Sequence, residues 1–203
     1  MAAPSSAATS VVARPDRPGV SPSERPLLLG VGVVVWLSSE LMFFAGLFAA
    51  YFTLRASNRT WPPPGSDLAT GRTALATVVL VSSSFTMHRA VRRAERGDRR
   101  GTSRWLLITA ALGLVFLANQ AREYADLSFS IASHAYGSIF YLMTGFHGLH
   151  VIGGIAFMVA VVGVVAGESS RAPSGPTVTV CGYYWHFVDV VWVAMFATLY
   201  LLR

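Results

Sequence analysis

Lysine is absent from this 203-residue sequence, cysteine occurs once, and charged residues make up only 13% of it. That charge content is about half the share of a soluble domain. With 53% hydrophobic residues and a mean hydropathy of +0.51, it excludes a disordered chain, a collagen-like repeat and a small disulfide scaffold, and argues against a soluble enzyme. The single Cys181 excludes an intrachain disulfide and any cysteine-based zinc, iron–sulfur or two-cysteine copper site. Without lysine, all 16 positive residues are arginine, and the formal net charge is +6. An excess of this kind can serve a nucleic acid. Here the arginines gather in short polar stretches while the aromatics lie in apolar runs, so no nucleic-acid partner is expected. The charge reads as a membrane topology signal.

What is present fits that reading. Residues 1–26 are rich in Ala, Ser and Pro with no apolar periodicity, and predict a disordered tail. The apolar run behind it is too long for the core of a secretory signal, and Asp16 and Glu24 argue against a mitochondrial transit peptide. Residues 27–203 form the expected membrane domain. Five spans are placed at about 27–55, 73–93, 104–125, 138–166 and 183–203, each near the roughly 20 residues that cross the hydrocarbon core. The fold class is therefore all-α, a polytopic bundle of five transmembrane helices, with loops of about 14–18 residues between the apolar segments. Arg89, Arg92, Arg93, Arg96, Arg99, Arg100 and Arg104 gather between spans two and three. With Arg171 and the tail arginines on the same side, they put the amino terminus inside.

Several polar residues fall within the spans. Glu40 lies near the middle of the first, where a carboxylate costs about 2.5–3.5 kcal/mol on insertion scales. It reads either as a proton site or lipid-facing carboxyl group, or as a packing hydrogen bond with Ser38, Ser39 or a group on another helix. His147 and His150 share one face of the fourth span, as His186 and Asp189 share one of the last. The four form either a ligand set for a metal or an interhelical hydrogen-bond network. Glu123 is placed to pair with Arg122 or to cap against Tyr124 and the Tyr136 segment. Trp61, Trp105, Trp185 and Trp192 read as interfacial anchors or packing aromatics. His88 and His134, near span ends, read as solvated. Small residues (Ala45, Gly46, Ala49 and Ala50 in the first span, Gly145, Gly148, Gly153 and Gly154 in the fourth) predict close helix packing.

The longer motifs carry a resemblance. Ser39-Glu-Leu-Met-Phe-Phe-Ala-Gly-Leu-Phe, Trp61-Pro-Pro, Glu95-Arg-Gly-Asp98 and Glu123-Tyr124 occur in order, followed by Tyr136-Gly-Ser-Ile-Phe-Tyr, Thr144-Gly-Phe-His-Gly-Leu-His-Val and Tyr184-Trp-His-Phe-Val-Asp-Val-Val-Trp. Together they resemble subunit III of cytochrome c oxidase from about Leu29 to Tyr200. The resemblance implies a non-catalytic subunit of an aa3-type oxidase, packed directly on subunit I beside subunit II in a bacterial plasma membrane, and joined to a cytochrome bc complex where a supercomplex forms. It implies no heme or copper in this chain, with heme a and copper in the partner subunits. It further implies bound phospholipid in a cleft, support of proton uptake from the inner side, and protection of the catalytic subunit from inactivation. The family's membrane glutamate falls on Glu40, its helical histidines on His147 and His150, and its final-helix pair on His186 and Asp189, which favours the network over the metal. Two departures stand out. Five spans replace the seven of the longer family form, so the lipid cleft must be completed by another subunit. A basic position of the family falls on Val164, for which Arg171 or the Arg89–Arg104 stretch can substitute. The same motifs would also fit the homologous subunit of a quinol oxidase or nitric oxide reductase, and a small proton-coupled transporter is the reading from another class.

Overall fold

A computed structural model describes residues 25–167 and 175–202. Five helices are formed: α1 (Arg25–Ser57), α2 (Thr70–Glu95), α3 (Arg99–Asp126), α4 (Ala135–Gly167) and α5 (Gly175–Phe196), the last running into a π-helical turn, Ala197–Leu201. All five are long and apolar enough to cross a membrane, as expected of a chain whose backbone polar groups must be satisfied within each span. Among the described residues there is no strand. The expected tail lies outside the described residues up to position 24, as does Arg171, while Arg25 and Pro26 open α1.

The helices overrun the apolar segments, and the connections are shorter than the expected loops. The arginine-rich stretch between spans two and three is the clearest case, because nearly all of it is helical. Arginine is a good helix former, and a helix continues past the hydrocarbon wherever water can solvate its side chains. α2 closes by donating Gly97 N–H to Ala94 O at 3.0 Å and Asp98 N–H to Arg93 O at 3.0 Å. This is the two-bond left-handed cap, and it needs Gly97 at φ +71°. The next residue, Asp98, starts α3 by accepting the Gly101 N–H at 2.9 Å, and also pairs with Arg93 at 2.9 Å. The Glu95-Arg-Gly-Asp98 motif is thus a complete helix stop and start. At the last span, α5 begins at Gly175 rather than near 183, with Pro176 in its first turn, where a missing N–H costs nothing.

α2, α3, α4 and α5 close a ring in which each helix packs on the next and α5 returns to α2, while α1 lies outside against α4 and α5. Around α1 most large apolar side chains are exposed, Val35, Leu41 and Met42 among them, a surface suited to hydrocarbon or to another membrane helix. The small residues Ala45, Gly46, Ala49 and Ala50 also point outward, because Phe44 and Tyr51 supply the buried face of α1. The expectation of close packing there is corrected accordingly. Gly153 and Gly154 do receive a neighbour, the rings of Tyr184 and Trp185.

Candidate functional site

The polar residues singled out from sequence sit at four separate places. At the α1–α4 contact, His150 Nε2 lies 3.1 Å from Glu40 Oε2, and His150 Nδ1 lies 2.7 Å from Phe146 O. A carbonyl only accepts, so Nδ1 carries a proton. The Nε2···Oε2 contact then holds one further proton, resting either on the carboxyl or on the imidazole. Phe44 stands edge-on to the His150 ring at 5.1 Å. Tyr184 donates to His150 O at 2.9 Å while stacking on Trp36 at 5.3 Å. Ser38 and Ser39 turn instead to the α1 carbonyls of Val34 and Trp36. A hydroxyl within reach of its own helix has no need of Glu40.

His147, one turn from His150, faces the ring interior. It is 1% exposed and set between Phe116 and Trp192, with ring centroids at 5.8 and 5.0 Å. Among the described residues neither of its ring nitrogens has a hydrogen-bond partner. At the third place Ser84 on α2 donates to Asp189 Oδ2 and contacts His186 Nδ1 at 3.1 Å, joining α2 to α5. The four residues expected to form one ligand set or one network therefore part into a His150–Glu40 pair, an isolated His147 and a Ser84–His186–Asp189 cluster. Among the described residues no three side chains of the His, Cys, Asp and Glu types converge as metal ligands.

The fourth place lies at the end of the ring where α2 begins. Glu123, 1% exposed, accepts from Thr73 Oγ1 at 2.7 Å and faces the Tyr200 hydroxyl. It does not pair with Arg122, which neighbours it on the helix but is exposed. Adjacent helical residues diverge by about 100°, so one can face the core while the next faces out. The nearby ion pair is Arg72–Asp126 at 2.7 Å. His134 is not simply solvated, since its Nδ1 accepts the Gly137 N–H at 2.9 Å and starts α4. His88 is exposed.

Sequence reasoning missed the hydroxyls of α2. Thr73 holds Glu123, Thr77 accepts the Trp192 indole N–H at 2.9 Å, and Ser83 accepts that of Trp185 at 2.8 Å. Ser84 holds Asp189, and Thr86 meets Thr109 at 2.7 Å. Threonine and serine at successive turns of an apolar segment were the available signal, since each can bond across to another helix in lipid. Trp185 is the centre of this set: fully buried, it spans the ring from α5 and lies against Gly113 on α3 and Gly154 on α4. The arrangement joins helices, and it sets the ionisable groups at separate helix contacts.

A family model for cytochrome c oxidase subunit III matches residues 25–203. A Mycobacterium tuberculosis protein named probable cytochrome c oxidase subunit 3 is 50% identical over 184 residues, covering 88% of this chain and 90% of its own. The cytochrome c oxidase subunit 3 of Corynebacterium diphtheriae is 44% identical over 200 residues, 95% of this chain and 96% of its own. That of Thermostichus vulcanus is 40% identical over 185 residues, covering 88% and 90%. With five membrane-spanning helices and this match along nearly its whole described length, the chain belongs to the cytochrome c oxidase subunit III family.

Proposed function

We propose that this chain is the non-catalytic subunit III of an aa3-type cytochrome c oxidase, stabilising the catalytic subunit, binding phospholipid and supporting proton uptake. As a family member it works within an oxidoreductase complex of several subunits, and oxygen reduction belongs to that complex. Heme a and copper sit in the partner subunits, and direct contact is with subunit I. The enzyme lies in a bacterial plasma membrane with the amino terminus of this chain inside. The observation that carries the reading is the use made of the buried ionisable groups: Glu40, Glu123 and Asp189 each bind a side chain of a different helix. Carboxyl groups engaged in this way, each with a partner on another helix, support a scaffold role.

The test compares purified oxidase with and without this chain. Heme typing should return two a-type hemes. The enzyme lacking the chain should keep its initial rate at low turnover, but lose activity sooner during sustained turnover and take up protons more slowly. An unchanged activity lifetime would overturn the proposed role. The quinol oxidase and nitric oxide reductase alternatives are weaker, because the similar proteins are named for cytochrome c. Oxidation of reduced cytochrome c by the purified complex decides between them.

A further inference from the structure

The Ser84–His186–Asp189 cluster forms the floor of a groove between α2 and α5, with a cavity volume of about 480 Å³. Its walls are short apolar side chains, Val81, Val190, Val193 and Ala197, and its mouth faces outward from the ring. Asp189 is 5% exposed; Oδ2 receives the Ser84 proton, while Oδ1 is buried with no hydrogen-bond partner among the described residues. Ser84 has one proton and gives it to Asp189, so at His186 it must accept, and the Nδ1 of His186 carries hydrogen. In the neutral ring Nε2 is then an acceptor. Asp189 Oδ1, occluded beneath the groove floor, is a second acceptor without a donor among the described residues.

Position identifies what supplies one. Ser84 and Asp189 lie near the middles of spans Thr70–Glu95 and Gly175–Leu201. Lipid headgroups begin about 15 Å from that depth, where acyl chains offer no hydrogen-bond donor. A donor at the midplane comes from a side chain on another membrane helix, and small wall residues such as Ala197 let a helix approach closely. We propose that the α2–α5 groove receives a transmembrane helix of another oxidase subunit, which presents a hydroxyl, amide or basic side chain to Asp189 and His186. The proposal rests on membership of the oxidase complex.

The test uses the assembled oxidase, with a benzophenone amino acid placed in separate variants at Val190 and Val193, which are 69% and 46% exposed and so can be replaced without filling the core. Illumination is expected to join each probe to another oxidase subunit, identified by mass spectrometry at a peptide within one of that subunit's membrane spans. Asp189→Asn, which keeps side-chain shape but halves the accepting character, is expected to lower the yield several-fold. Displacement of the other subunits by a probe, with this chain still at its normal membrane level, also supports the groove as an interface. Adducts to lipid alone, or no subunit adduct from either position in an intact complex, overturn it. If unmodified chain fails to co-purify with other subunits, it is the subunit reading that fails.

Discussion

At the scale of single residues, Trp185 decides how closely the ring can close. Its indole N–H is satisfied by Ser83 on α2, and its ring fills the space left by two missing side chains. A Cβ at Gly154 would stand 2.8 Å from the ring, so Gly154→Ala requires the bundle to shift. The expected cost is about 1–3 kcal/mol, the usual penalty of overpacking, seen as a lower thermal midpoint in detergent. Gly163, with nothing within 4 Å, is the control. Gly163→Ala should be neutral or slightly stabilising, because alanine is the better helix former. Equal effects at the two glycines would contradict the close packing of Trp185 on Gly154.

At the scale of elements, α1 is held differently from the other helices. Its attachment depends on few contacts, chiefly Glu40 with His150, Trp36 on Tyr184, and the Tyr51 hydroxyl donating to Thr198 O at 3.1 Å. Glu40→Leu should loosen α1 by about 1 kcal/mol, the usual size of an interhelical hydrogen bond in a membrane, and speed hydrogen exchange in α1 while leaving α2 and α3 unchanged. Glu40→Gln, which can still bond His150, should keep the attachment and the assembly. The α2–α3 turn makes a pH-dependent prediction. The Gly101 N–H, and then Arg93, hold the Asp98 carboxyl below its ordinary value near 3.8. A folded-state value lowered in this way adds stability above the unfolded value, which is lost as pH falls through the folded one. Asp98→Ala should therefore lower the thermal midpoint at neutral pH, and the gap from wild type should narrow below about pH 4.

At the scale of the whole molecule, the arginines concentrate at the α2–α3 turn, and the proposed orientation places that turn inside. A reporter fused to the amino terminus, or a cysteine-reactive label at Arg96→Cys, should report the inner side. Labelling of that position from outside intact cells would reverse the topology. Purified without its partner subunits, the chain should show no heme absorbance band, because Glu40–His150, His147 and the Asp189 cluster lie on separate helix contacts.

The apolar segments alone determined the number of helices and their class, because a span must satisfy its backbone internally and length in hydrocarbon is set by rise per residue. The ordered motifs determined the family. The helix ends were less legible, since hydropathy marks the hydrocarbon boundary and not the point where a helix stops. Spacing put His147 beside His150 and His186 beside Asp189, but it could not say which helix each would meet. That depended on the ring order, with α5 returning to α2 and α1 left outside. Only tertiary structure therefore separated His147 from His150, paired Glu40 with one of them, and brought Ser84, one of several α2 hydroxyls, under Asp189. The physical reason is that a side chain's partner in a membrane bundle is chosen by helix rotation and neighbour, which no periodicity within a single helix encodes.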